Sequence, residues 1–182
     1  MSRTFAWGIW IALLVPYLYM AAVVMPGLLS GMQEVAEDAS CARPLDLFLF
    51  GFSQDDVLQT LGCLGTTGRA VYREGELTAD VAYPIAYGLL LSCTLWFLSG
   101  GLLQDRWRYM LAAIPLLAML VDYVENAHIV MLIDQFPAVL EQTVNRGSAA
   151  NAVKWGLAFQ SIVSVLGLSV HHARRLFGRG SQ

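Results

Sequence analysis

The sequence predicts an all-α integral membrane protein, a four-transmembrane-helix bundle with an amphipathic extracytoplasmic helix in its first loop. Three observations lead there. Of 182 residues 57% are hydrophobic and 14% charged, whereas about a quarter of the residues in a soluble domain carry charge. Residues 5–25, 84–103, 109–133 and 149–170 each meet the requirement of roughly 20 mostly apolar residues for a helix crossing the hydrocarbon core. The segment between the first two, 26–83, is too long for a simple connection and carries helix signals of its own. The chain, residues 1–182, reads as a single membrane domain.

The balance of charge narrows the function. A formal charge of −3 with a pI near 5.5 and no clustered basic surface excludes nucleic acid as a partner. Phosphate-binding glycine loops, a GxSxG elbow and an HExxH motif are absent. Neither CxxC spacing, a zinc pattern nor histidines paired on one helix for haem or a di-iron centre occur, so no metal and no cofactor is expected.

The first span follows a single basic residue, Arg3, and its apolar run exceeds the usual signal-peptide core of about 7–15 residues, so it is read as a span rather than a cleaved leader. Lys and Arg beside span ends stay on the cytoplasmic side. With both termini inside, Arg3, Arg106, Arg108, Arg174, Arg175 and Arg179 share that side with one acid, Asp105. Arg43, Arg69, Arg73 and Arg146 then lie outside among many acids, Glu34, Asp46 and Glu76 included. The expected localisation is the inner (cytoplasmic) membrane, multi-pass, N-in and C-in. Cys41 and Cys63 fall in the outer loop, where an oxidising compartment allows a disulfide; two unpaired thiols in a loop that forbids bridging is the alternative. Cys93 lies within the second span.

Within the outer loop, PLDLFLFGF (44–52) is short, aromatic and apolar and is expected to rest at the membrane interface. Ser53 followed by Gln54, Asp55 and Asp56 is a helix start, with a capping hydroxyl and acids near the positive dipole end. Val57, Leu58, Leu61 and Leu64 form one apolar face, which predicts an amphipathic helix of about three turns on the outer surface of the bundle. Gly62, Gly65 and Gly68 mark breaks or close approaches. Later connections are QDRWR (104–108) inside and residues 134–148 outside.

Polar residues within or beside the spans carry the functional reading. Pro84 has no N–H, so a helix running through it leaves the carbonyl of Asp80 without its usual donor. Tyr83 and Tyr87 share the stripe of Asp80. The alternative is a plain helix start with Thr78 as cap and the tyrosines in the interfacial belt. In the third span, Asp122 lies about 20 Å from Tyr109 at ~1.5 Å per residue, and Glu125 and Asn126 share its face. A carboxylate facing lipid costs at least about 2.5–3.5 kcal/mol, so these side chains must turn inward. The fourth span offers Lys154, the only lysine, at similar depth. Arg69 and Arg73 are placed to cap the cluster from above. The bland reading of this group is an ion network that fixes helix register.

His128, partly off the polar face, reads as a hydrogen-bonded packing residue, and His171 and His172 as interfacial. Gln160, Ser164, Gly167 and His171 form a stripe suited to close helix packing. Trp7, Trp10, Trp96, Trp107 and Trp155 lie near span ends, as aromatic anchors do.

The stretch LGCLGTTGRAVYREGELTADVAYPIAYG, with DYVEN in the third span and KW in the fourth, resembles an uncharacterised family of small four-span bacterial integral membrane proteins. The likeness covers residues 55–170. It implies Gly68, Arg69, Tyr72, Asp80, Tyr83, Pro84, Tyr87, Asp122, Glu125, Asn126 and Lys154 as recurring positions, and it implies no activity.

The expected function is a polar site in the outer half of the bundle that binds, and in an enzyme transforms, a lipid or other membrane-soluble small molecule. Asp80 and Glu125 would be the acid/base pair and Lys154 a third catalytic group. Lys154 and Arg69 would hold negative charge, and Tyr83 and Tyr87 would donate hydrogen bonds; with Tyr72, Asp122 and Asn126 they form the expected ligand-binding set. The alternative is a non-catalytic accessory or assembly subunit of a larger membrane complex. Ion passage ranks last, because four helices enclose little lumen. The partners implied are the bilayer, a lipid-like ligand, and a membrane protein or second copy.

Overall fold

The computed structural model describes residues 3–178; Arg179, counted above on the cytoplasmic side, lies outside them. Among the described residues the chain is helical and forms no strand. The helices are α1 (Arg3–Tyr19), α2 (Met25–Glu34), α3 (Gln54–Leu77), α4 (Ala79–Leu98), α5 (Asp105–Gln135) and α6 (Glu141–Gly178). Four helical runs are long and apolar enough to cross a membrane: Ala6–Glu34, Gln54–Leu98, Asp105–Gln135 and Glu141–Arg175.

The first, third and fourth runs outlast their predicted spans because helix geometry continues past the apolar stretch wherever the backbone groups stay bonded; the second begins earlier but ends at Leu98 rather than Leu103, since the chain turns there through Gly100 and Gly101, the latter at φ 74°. The first passes Pro26 by widening into a π-helical turn over Met20–Val24, a common way of absorbing a missing donor. It lies outermost against α4, its Trp7, Ile11, Val15 and Val23 exposed. Helix α5 is central and packs on α4, α6 and α3.

The largest apolar core lies at one end, where α2, the 35–53 loop and α3 meet the ends of α5 and α6. Met32, Leu45, Leu61, Leu64, Ile129 and Leu132 are fully enclosed there. The 44–52 segment is therefore divided: Leu45 and Phe52 are buried in protein and only Phe50 stands fully outward. Cys41 and Cys63 are joined, their Cα atoms 5.8 Å apart, and this ties the loop to α3.

Helix α3 begins where its cap chemistry dictates. The Ser53 hydroxyl accepts from the Asp56 N–H and the Asp56 carboxylate accepts from the Ser53 N–H, a reciprocal capping box. It then runs to Leu77 rather than stopping after about three turns, because only one of its glycines breaks the helical path. Gly65 has φ 62° and ψ −175° and kinks the helix. Gly75 permits a close approach, since a Cβ there would collide with Leu28 of α2.

Opposite effects are expected at two glycines of this helix. Gly65→Ala should lower stability by about 1–3 kcal/mol, the usual penalty for that backbone region, with a further clash against Glu37. Gly62→Ala, helical and facing open space, should raise it by about 0.5–1 kcal/mol. Thermal unfolding in detergent decides, and equal effects at both positions would refute the assignment of the kink.

Candidate functional site

Asp122, Glu125 and Asn126 recur at helical spacing on the inward face of α5, and all three are buried. One turn-matched stretch of α6 faces them with Asn151 and Lys154, also buried. The Lys154 Nζ lies 3.4 Å from Asp122 Oδ1 and in direct contact with Glu125 Oε2. The remaining oxygen of each carboxylate takes a neutral donor. Tyr87 of α4 donates to Asp122 Oδ2 at 2.8 Å, and Asn151 Nδ2 donates to Glu125 Oε1 at 2.6 Å. An ion pair removed from water is tolerable only when its leftover lone pairs are hydrogen-bonded in this way.

The start of α4 supplies the second wall. Pro84 frees the Asp80 carbonyl, and Asn126 Nδ2 donates to that oxygen at 2.9 Å, so the gap left by proline is filled from the neighbouring helix. Thr78 does not cap α4; its hydroxyl donates to Glu74 O at 2.6 Å. Asp80 is 5% exposed, and among the described residues its carboxylate receives no hydrogen bond and joins no ion pair. Glu76, one turn earlier at the end of α3, is likewise enclosed, with Oε2 unpartnered, as is Asn126 Oδ1.

The 35–53 loop closes the end of the site. The Asp46 carbonyl accepts from Trp155 Nε1 at 2.9 Å and from Asn151 Nδ2 at 3.2 Å. Its carboxylate accepts the Tyr72 hydroxyl at 3.0 Å, while Tyr72 Oη itself accepts from the Leu45 N–H. Asp46, Glu76, Asp80, Asp122 and Glu125 thus stand within electrostatic reach of one ammonium, that of Lys154.

Of the residues singled out from the sequence, Asp80, Tyr87, Asp122, Glu125, Asn126 and Lys154 are brought together, with Tyr72 at the edge beside Asp46. Tyr83 is half-buried and turns toward α1, stacking on Tyr17 with ring centroids 6.2 Å apart. Arg69 is not brought to the cluster: its guanidinium donates to Leu61 O at 2.8 Å and lies over the Phe136 ring, because the kink at Gly65 exposes a carbonyl within its reach. Nor is Arg73, which pairs with Asp134 at 2.9 Å on the exposed surface. Gln160, Gly167 and His171 of the supposed packing stripe are exposed, and Ser161 is the buried residue of that stretch. His128 bonds to the carbonyl of Val124 in its own helix at 2.7 Å.

Asn151, Glu76 and Asp46 had not been singled out. Asn151 was detectable as the residue three before Lys154 on the same face. Glu76 was detectable as the i−4 neighbour of Asp80, had the helical run been taken through Thr78. Asp46 carried no local signal.

The one grouping of three metal-type ligands found among the described residues is Asp38 with Cys41 and Cys63, whose sulfurs are joined and hold no thiolate. Two apolar clefts of about 620 and 790 Å³ lie elsewhere, the first beside Trp96 and Tyr109, the second beside Trp10 and His172. Comparison of the chain with protein-family models, curated proteins and solved structures finds no match.

Lys154→Met leaves two buried carboxylates uncompensated and should destabilise the protein by about 3–5 kcal/mol. Adding Asp122→Asn and Glu125→Gln should recover most of that loss. Unfolding curves for the single and triple variants test this; additive damage would show that the three residues do not act as one network.

Proposed function

We propose that the chain is an integral membrane protein of four spans whose enclosed polar chamber binds a lipid or other membrane-soluble small molecule. The carrying observation is the division within the cluster: Lys154, Asp122, Glu125, Asn151 and Tyr87 satisfy one another, while Glu76 Oε2 and Asn126 Oδ1 are enclosed without a hydrogen-bond partner and, among the described residues, nothing donates to the carboxylate of the buried Asp80. Groups whose only work was to hold helices together would be paired, since a buried unpaired acceptor costs about 1–3 kcal/mol. Where the ligand is transformed as well as bound, Asp80 is the acid/base, being buried and unbound by any partner. Glu125 is held by Lys154 and Asn151 and positions the site.

The placement is N-in and C-in in the inner membrane, with the loop and α3 extracytoplasmic. The Cys41–Cys63 link supports it, because disulfides persist in oxidising compartments. So does the clustering of Arg106, Arg108, Arg174 and Arg175 at the opposite end, where Arg108 and His172 bond to carbonyls closing α4. Membership of the small four-span bacterial family that the sequence resembles belongs to the same proposal.

A second reading has its own support: the saturated Lys154 network ties α4, α5, α6 and the loop into one unit, as a rigid accessory or assembly subunit requires. Asp80→Asn separates the two. Native mass spectrometry of the purified protein should find a stoichiometric small molecule in the wild type and lose it in a variant that folds to normal yield. A drop in folded yield with no small molecule in either sample would favour the accessory subunit and end the ligand reading.

A further inference from the structure

The chamber is rich in acceptors and short of donors. Its Lys154 ammonium is divided between Asp122 and Glu125; the Tyr87 and Tyr72 hydroxyls are given to Asp122 and Asp46, and the Asn151 amide to Glu125 and the loop carbonyls. What remains is of one kind. Glu76 Oε2 and Asn126 Oδ1 are enclosed without a partner, and among the described residues nothing donates to the carboxylate of the buried Asp80. Asn126 carries no charge, so its idle oxygen is evidence apart from the surplus of acids. Its amide nitrogen holds the Asp80 carbonyl at 2.9 Å, which keeps that oxygen beside Asp80.

Resting on the ligand reading above, we infer that the molecule bound here carries a primary or secondary ammonium on an apolar body. Its N–H groups supply the donors that Glu76, Asp80 and Asn126 lack, and its charge offsets carboxylates left over once Lys154 is paired. A phosphate or carboxylate headgroup would meet the carboxyl groups of Glu76 and Asp80. A quaternary ammonium would offset charge but leave the acceptors unfilled. The ammonium could belong to a free long-chain amine or to the amine headgroup of a phospholipid.

The test uses the full chain in a non-ionic detergent with four probes of equal tail length: dodecylammonium, dodecyltrimethylammonium, dodecanol and dodecyl phosphate. Native mass spectrometry and thermal unfolding should show dodecylammonium binding one-to-one, and the other three weaker by on the order of tenfold or more, as the loss of one charge-assisted hydrogen bond implies. Glu76→Gln should weaken dodecylammonium by a similar factor. Protein reconstituted with and without phosphatidylethanolamine distinguishes the headgroup from a free amine, since only a headgroup ligand would make that lipid compete with the probe. Equal or tighter binding of dodecanol or dodecyl phosphate by the wild type would overturn the inference, whether or not the variant folds. So would dodecylammonium binding unchanged in a folded Glu76→Gln variant. If a non-amine molecule co-purifies at one-to-one stoichiometry, the chamber reading survives and the ammonium assignment fails; if no probe binds and nothing co-purifies, both fail.

Discussion

The burial of one ammonium between two carboxylates sets the terms for the rest of the structure. Lys154 sits on α6 and Asp122 and Glu125 on α5, and a charge withdrawn from water must be matched within a few ångströms or it unfolds what surrounds it. That requirement fixes the rotation and the axial register of α6 against α5. The secondary partners extend the constraint, since Tyr87 brings in α4 and Asn151 the loop. Non-directional apolar packing along these helices tolerates sliding; the ion network does not.

The same network explains why the loop folds back as it does. Trp155 and Asn151 of α6 both donate to the Asp46 carbonyl, so the loop is held against the stretch of α6 that carries Lys154. The Cys41–Cys63 link and the enclosed Leu45 and Phe52 side chains then fasten the loop to α3 and the apolar core. Arg69 and Arg73 stay outside. A hydrated guanidinium that can reach a carbonyl or a surface carboxylate avoids the desolvation that entry into the chamber would impose, and both find such partners within their own end of the molecule.

Two classes of acid therefore occupy one space. Asp122 and Glu125 are engaged on both oxygens and stabilise the fold. Glu76 and Asp80 flank the junction of α3 and α4, both buried, with Glu76 Oε2 lacking a partner. At that junction Thr78 leaves the helical path, and the Asp80 carbonyl that Pro84 frees is answered by Asn126.

Much of this was readable from the chain itself, because it depends on neighbours within one helical turn. Apolar length predicted long helices in four places, the Ser53–Asp56 spacing predicted the start of α3, and i, i+3, i+4 spacing put Asp122, Glu125 and Asn126 on one face. The missing N–H of Pro84 announced a free carbonyl at Asp80. Which group would answer it, and which acids Lys154 would choose, depended on contacts across 46 and about 30 residues. Glu76 and Asp46 come to lie beside the buried charges, and Arg69 away from them, through the turn of the chain at Gly65 and the fold of the loop. Local periodicity carries no information about such rotations. They are decided only when helices pack, because each buried charge must then find its partner among whatever groups the other elements present.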